Sequence, residues 1–284
     1  MKFKYLTIAF SIIMVLILLM AVLLPLMLTN APQSSAGLAP RSSPFSSAAN
    51  FWYVILFLFL FIAIILVCFG VFFLLNYRLF SLLEREDWPA LAYYLEQEIF
   101  VKGRCNARNV QLLASSYLVI SDYSSVLNLE SKAILVKPAV VQKNALIFGG
   151  ARLLNGNYKE AVAFFRKYID KDAWIHWYYG FTSLLSGANN QAESEFSALI
   201  ASSHNLLITG LSAYFLTTNL VKYSKSPEDC RAVAENGRSQ VIKKIKNAAG
   251  WKKEAAKMAS EIHVAIIRKY VEETGIWLFN RGNL

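Results

Sequence analysis

Asn157-Tyr158-Lys159-Glu160-Ala161 is the stretch that decides the fold, because the chain repeats its pattern three more times. The others are Asp87-Trp88-Pro89-Ala90-Leu91, Asp122-Tyr123-Ser124-Ser125-Val126 and Ala188-Asn189-Asn190-Gln191-Ala192. Their second residues are 35, 35 and 31 positions apart. A recurrence of about 34 residues is the period of a helix–turn–helix unit that buries its apolar face only by stacking on neighbours. The residue types fit that unit. A short polar residue permits the interhelical turn and can cap the next helix. The aromatic after it wedges between two helices, and the small or aliphatic residue three positions on lets them approach. One turn further, Leu95, Phe165 and Phe196 face the same side in three of the four units.

Outward from these segments the pattern is amphipathic helices with short polar breaks and no alternating strand pattern, which predicts an all-α domain. The expected pairs are Tyr77–Glu86 with Trp88–Phe100, Ala107–Ile120 with Tyr123–Leu135, Ala139–Leu154 with Tyr158–Ile169, and Ala173–Leu185 with Asn189–Ala201. A further helix is expected from Leu206 to Tyr223. The array resembles the tetratricopeptide repeat. Ala114, Gly149 and Gly180 match the small residue of the family's first helix, and Tyr117 the aromatic three positions later. Gly156 and Gly187 match the glycine before the turn, Ala161 and Ala192 the small residue of the second helix, and Pro138 the closing proline. Arg152 departs from the pattern at the place equivalent to Tyr117, Asn189 replaces an aromatic, and no unit has the family's early Trp. The resemblance covers residues 77–220 and implies an α-solenoid.

Upstream lie two apolar runs, Tyr5 to Leu28 and Phe51 to Leu75. About 20 helical residues cross the hydrocarbon of a bilayer, so both are long enough to span. The basic start of the first run suits a signal peptide, but its apolar core exceeds the usual length, so an uncleaved helix is expected. Lys2 and Lys4 precede the first run, Arg41 alone lies between the two, and Arg78 and Arg85 follow the second. By the positive-inside rule the N-terminus and the domain are cytoplasmic, in a multi-pass protein of a bacterial inner membrane. The expected organisation is an N-terminal tail and transmembrane helix (1–29), a flexible Pro/Ser-rich linker (30–50), a second transmembrane helix (51–76), repeats (77–223) and basic C-terminal capping helices with an apolar tail (224–284). The second membrane helix is expected to run on into the first repeat helix, since no Gly or Pro separates them.

The chain has 29 Lys plus Arg against 19 Asp plus Glu. From Arg238 to Lys269 nine cations face two acids, Glu254 and Glu261. Ser226-Pro227-Glu228-Asp229 reads as a helix start with a capping Ser. Gly237 is expected to stop that helix and Gly250 the next. Trp251, Ala255, Met258, Ile262 and Ala265 form an apolar stripe. The lysines Lys243, Lys244, Lys246, Lys252 and Lys253 either form a solvated face or contact anionic lipid. Nucleic acid is not expected, because the aromatics lie on the apolar stripe rather than among the lysines. The apolar end, Ile276-Trp277-Leu278-Phe279, is expected to dock on preceding helices.

Three cysteines, Cys68, Cys105 and Cys230, suggest no disulfide framework. No phosphate loop, zinc motif or Cys-x-x-Cys occurs, and His176, His204 and His263 are scattered. Arg104 beside Cys105 suggests a lowered thiol pKa. Neither an enzyme, a cofactor, a metal nor a small-molecule substrate is expected. In tetratricopeptide arrays the first helices line a groove for a peptide or partner helix, and the resemblance places Arg108, Gln111, Lys143, Trp174 and Trp177 there. Cations beside aromatics would suit an acidic or C-terminal peptide, although Trp174 and Trp177 also read as core residues. The expected function is a membrane-anchored adaptor for protein partners. The alternatives are an envelope or secretion-apparatus assembly factor with outward-facing repeats, and an accessory subunit of a membrane transporter or enzyme.

Overall fold

The computed structural model of the chain describes residues 48–259 and 261–279, and among them the regular structure is all helical, with no strand. The first apolar run, Tyr5 to Leu28, and the linker up to residue 47 lie outside the described residues. The chain divides into two compact units, with the boundary in sequence between Leu91 and Ala92.

Helix α1, Ala48–Glu84, is 37 residues long. Its most apolar stretch has a mean hydropathy of 3.3 and none of that stretch is buried. Among the described residues it is the one helix long and apolar enough to cross a membrane. Leu74 and Leu75 are about three-quarters exposed. The helix continues through Asn76, whose side-chain amide donates to the Phe72 carbonyl at 2.8 Å and so keeps its polar group satisfied within the helix. The expected continuity into the first repeat helix is therefore present.

The second unit is built from helix pairs. After α2 (Trp88–Glu96) and a π-helical turn (Gln97–Val101) come α3 (Ala107–Val119) and α4 (Tyr123–Val136). Next are α5 (Pro138–Lys143) with α6 (Ala145–Leu154), then α7 (Tyr158–Lys167), and α8 (Ala173–Leu185) with α9 (Asn189–Ser202). One turn geometry recurs at the period read from the sequence. Glu86, Ser121, Gly156 and Gly187 have φ of 54°, 60°, 76° and 83°. At each, the amide of the following residue reaches back five residues: Asp87 to Leu82 (3.2 Å), Asp122 to Tyr117, Asn157 to Arg152 and Ala188 to Ser183 (all 2.9 Å). This is the left-handed closure that satisfies the free carbonyls at a helix end. Gly156 and Gly187 adopt it without a Cβ penalty, whereas Glu86 and Ser121 do so at some cost.

Packing follows the same register. Leu91, Val126, Ala161 and Ala192 are fully buried. A Cβ on Gly149 would collide with the Phe165 ring, and one on Gly180 would lie 3.1 Å from Phe196. The place that Leu95, Phe165 and Phe196 occupy belongs in the remaining unit to Glu130, which is also buried. Its carboxylate accepts from Arg152 at 2.6 Å, and the Arg152 guanidinium lies 4.4 Å from the centre of the Phe164 ring. The two departures from the repeat, Glu130 and Arg152, thus compensate each other.

Four sequence expectations about helix ends are corrected. The helix expected from Ala139 to Leu154 breaks at Asn144, whose amide donates to the Ala107 carbonyl (3.2 Å) as well as to Val140 (3.0 Å). Gly237 does not end a helix: α11 (Pro227–Ile245) runs through it, and a Cβ there would lie 3.1 Å from Ile200 and 3.2 Å from Ala213. Close packing explains this glycine. Gly250 lies inside α12 (Ala248–Lys257), where its amide donates to the capping Asn247 side chain at 2.8 Å. The break falls at Lys246, with φ of 67°. Pro227 begins α11 as expected, with Glu228 and Asp229 in the first turn, but Ser226 makes no side-chain cap.

After α10 (Leu206–Phe215), α11 and α12, the short α13 (Ile262–Ile266) and α14 (Arg268–Phe279) turn back over the preceding helices. Trp251 of α12 is the wedge. A Cβ on Gly210 or Gly275 would come within 2.7 or 2.6 Å of its ring, and its indole N–H donates to the Val271 carbonyl at 2.9 Å. Of the expected stripe only Trp251 is fully buried, because the chain breaks between α12 and α13 and leaves Ala265 exposed. Trp277 and Leu278 are buried, so this part of the apolar end docks as expected, while Ile276 stays exposed.

Candidate functional site

The first helices of successive pairs carry the residues expected to meet a partner, and the C-terminal helices cross several of them. The Tyr178 hydroxyl of α8 donates to the His263 carbonyl at 2.5 Å. Ile266 sits against Gly150 of α6. Tyr270 packs on Phe181 of α8 and Phe215 of α10, with ring centres 5.3 and 5.2 Å apart. Tyr214 donates to Glu273 at 3.0 Å. Arg238 of α11 donates to the carbonyls of Trp277 and Leu278. The chain thus lays its own C-terminal segment across α6, α8, α10 and α11.

This covering corrects two of the expected groove residues. Trp174 is 5% exposed and Trp177 is fully buried. The Trp174 ring stands 5.0 Å from His263. Trp177 stacks on Phe181 at 5.0 Å and also meets Phe196 and Phe215. Both are core residues. Their aromatic mass is used to join α8 to α9, α10 and α13, where a partner cannot reach it. The other three, Arg108, Gln111 and Lys143, are exposed. The Asn144–Ala107 bond ties the end of α5 to the start of α3, so Arg108 and Lys143 are each next in sequence to a residue of that junction. Sequence spacing could not separate the two groups, because a Trp near the start of a helix suits either a groove or a core.

The basic lysines behave uniformly: Lys243, Lys244, Lys246, Lys252 and Lys253 are all exposed. Lys252 also lines a cleft of about 720 Å³ between α12 and α14, walled by Trp251, Ala255, Ala256 and Ile276 and flanked by Arg268. Nothing in the sequence marked this cleft, since its small residues come from three helices whose packing the periodicity does not encode.

Among the described residues no group of three or more His, Cys, Asp or Glu could hold a metal ion. His176 and Glu195 form a half-buried pair at 2.5 Å that bridges α8 and α9. His263 is buried, and desolvation pushes its pKa down to about 4, with Asp172 opposing weakly. It is therefore neutral where it sits between Trp174 and Tyr178. The expectation of an activated thiol is corrected: burial raises the Cys105 pKa, against a weaker pull from Lys137. The neighbouring Arg104 is directed instead to Glu98, at 2.7 Å. Glu98 also accepts from Lys102 at 2.6 Å, and these bonds hold its carboxyl below the usual range.

A relative from Treponema pallidum (strain Nichols) is 28% identical over 221 residues, covering 72% of this chain and 69% of the relative. The family model described as "Uncharacterised Treponema protein" matches residues 125–280, a span that runs from α4 to the end of α14 and so contains the covered face. This is more than half of the chain, and the chain belongs to that family.

Proposed function

We propose that this protein is a membrane-anchored adaptor, built on a short tetratricopeptide-like α-solenoid, that binds protein partners at the membrane surface without catalysing a reaction. The observation that carries this reading is the turn repeated at Glu86, Ser121, Gly156 and Gly187, because one closure at a near-constant period is how stacked helix pairs are built. The small-on-aromatic packing of Gly149 on Phe165 and Gly180 on Phe196 supports it. In this reading the C-terminal helices occupy the groove over α6, α8 and α10. The partner then takes the open part at Arg108, Gln111 and Lys143, where exposed cations suit an acidic peptide segment. Helix α1 and the run from Tyr5 to Leu28 anchor the chain as a multi-pass protein. The N-terminus and the repeats face the cytoplasm of a bacterial inner membrane, and Lys243, Lys244, Lys246, Lys252 and Lys253 are available to anionic lipid.

The test is a photo-crosslinking residue at Gln111 in the full-length protein in cells, with Lys159 as control site. Gln111 should yield a discrete protein adduct that weakens several-fold when Arg108 and Lys143 are changed to Glu. No adduct from Gln111, or one unaffected by both charge reversals, would reject this surface.

A further inference from the structure

The surface where α4 gives way to α5 is more apolar than a solvated repeat needs. Leu135 is 86% exposed and Val136 is 67% exposed, at the end of α4. Pro138 forces the chain out of the helix there and leaves Lys137 extended, with φ of −157°. Beside them the π-helical turn ends in Phe100 and Val101, which are 39% and 73% exposed. The two segments lie together: the Lys132 ammonium of α4 stands 4.8 Å from the centre of the Phe100 ring, and Lys137 exerts its charge on Cys105 just beyond the turn.

The charge around these four apolar residues is positive. Lys102, Arg104, Lys132 and Lys137 are all exposed. The acid that faces them is Glu98, whose side chain is 7% exposed and already held by Lys102 and Arg104. Glu96 is engaged by the Tyr117 hydroxyl, and Glu130 by Arg152.

The geometry points to this elbow as a docking surface for an anionic phospholipid bilayer. Four large apolar side chains on two adjacent chain turns can enter the headgroup–acyl boundary, while lysine and arginine stems keep their charges at the phosphates. Charge complementarity selects the anionic surface. The chain supplies proximity, since seven residues separate the end of α1 from the start of the second unit. The inference rests on the reading of α1 as a membrane anchor, and it adds a contact distinct from the lysines of α11 and α12.

The test uses the full-length protein in nanodiscs of phosphatidylcholine, with or without phosphatidylserine, doped with nitroxide-bearing lipid. In one form, with Cys105 and Cys230 replaced, an environment-sensitive fluorophore on Cys68 reports on α1. In two others Cys68 is also replaced, and the label sits at Leu135→Cys or at the control Lys159→Cys. Cys68 should be quenched in both lipids. Leu135→Cys should shift to the blue and be quenched in phosphatidylserine discs, losing most of that shift with Lys132→Glu and Lys137→Glu, while Lys159→Cys stays water-like. Quenching at Cys68 with a water-like Leu135→Cys in both lipids would overturn the docking surface and leave the anchor intact. Equal quenching of Leu135→Cys with and without phosphatidylserine would overturn it as an anionic-lipid site. An unquenched Cys68 would overturn the anchor, and the elbow with it.

Discussion

The repeated helix pairs and the C-terminal helices solve the same problem by different means. Between α3 and α9 the interhelical turns after α3, α6 and α8 are of one type, and the helices on either side pack on their sequence neighbours, so a local rule is applied again at each pair. In α12 to α14 no rule repeats. The segment is held by single contacts: Trp251 between Gly210 and Gly275, the Tyr178–His263 bond, and Arg238 on the last carbonyls. It also buries polar atoms without partners, among them His263 Nε2 and Thr274 Oγ1, together with Trp174 Nε1 on the face it covers. Each such atom forfeits a hydrogen bond to water. A repeated design spreads its stability over many similar contacts, whereas an appended one concentrates it in a few side chains.

The sharpest way to break this contrast is Trp251→Ala, since Trp251 is 2% exposed and packs on α10 and α14 at once. Losing a buried indole costs about 4 kcal/mol. Denaturation of the full chain in detergent should show the C-terminal helices becoming protease-sensitive while α3–α9 keep their protection. Uniform loss of protection would mean that the two regions are one cooperative block.

Within the repeats, Glu130→Leu alone strands the Arg152 charge and should cost about 3 kcal/mol. Adding Arg152→Tyr restores the repeat pattern at both places and should recover most of that loss. If the double variant is no more stable than the single, the two departures are not a compensating pair.

Acid should act on the appended region first. The folded pKa of His263 is depressed to about 4 from an ordinary 6.5, so the unfolded chain binds more protons between these values. Stability is fully present above pH 6.5 and falls as pH drops toward 4, by at most about 3 kcal/mol. Hydrogen exchange in α13 should rise over that window, and His263→Gln should flatten the dependence. A slope that persists in His263→Gln would assign it to other groups.

The smallest effects lie in the turns. Ser121→Gly relieves a left-handed residue and should stabilise by a few tenths to about 1 kcal/mol, while Gly156→Ala should cost about 1 kcal/mol. Opposite signs in thermal unfolding would show that the two turns are the same device. Equal signs would separate them.

The covered face shows why the candidate site was only half legible. Arg108, Gln111 and Lys143, placed in a groove through the repeat resemblance, are exposed, as long polar side chains on a helix flank usually are. Trp174 and Trp177 stayed open between groove and core because an indole suits both equally, and the choice depends on α13 and α14, far away in sequence. Gly237 was misread for a related reason: a helix-stopping residue and a close-packing residue look alike until Ile200 and Ala213 are seen against it.

By itself the sequence determined the helical class, the recurrence of 35, 35 and 31 residues, and the apolar length of α1. These depend on neighbours within a few turns, and local propensity and periodicity encode such interactions. Tertiary structure alone decided that the chain covers its own first-helix face, that Glu130 answers Arg152, and that apolar residues from two segments meet at the α4–α5 elbow. Those outcomes pair residues far apart in sequence, and no single stretch holds both partners.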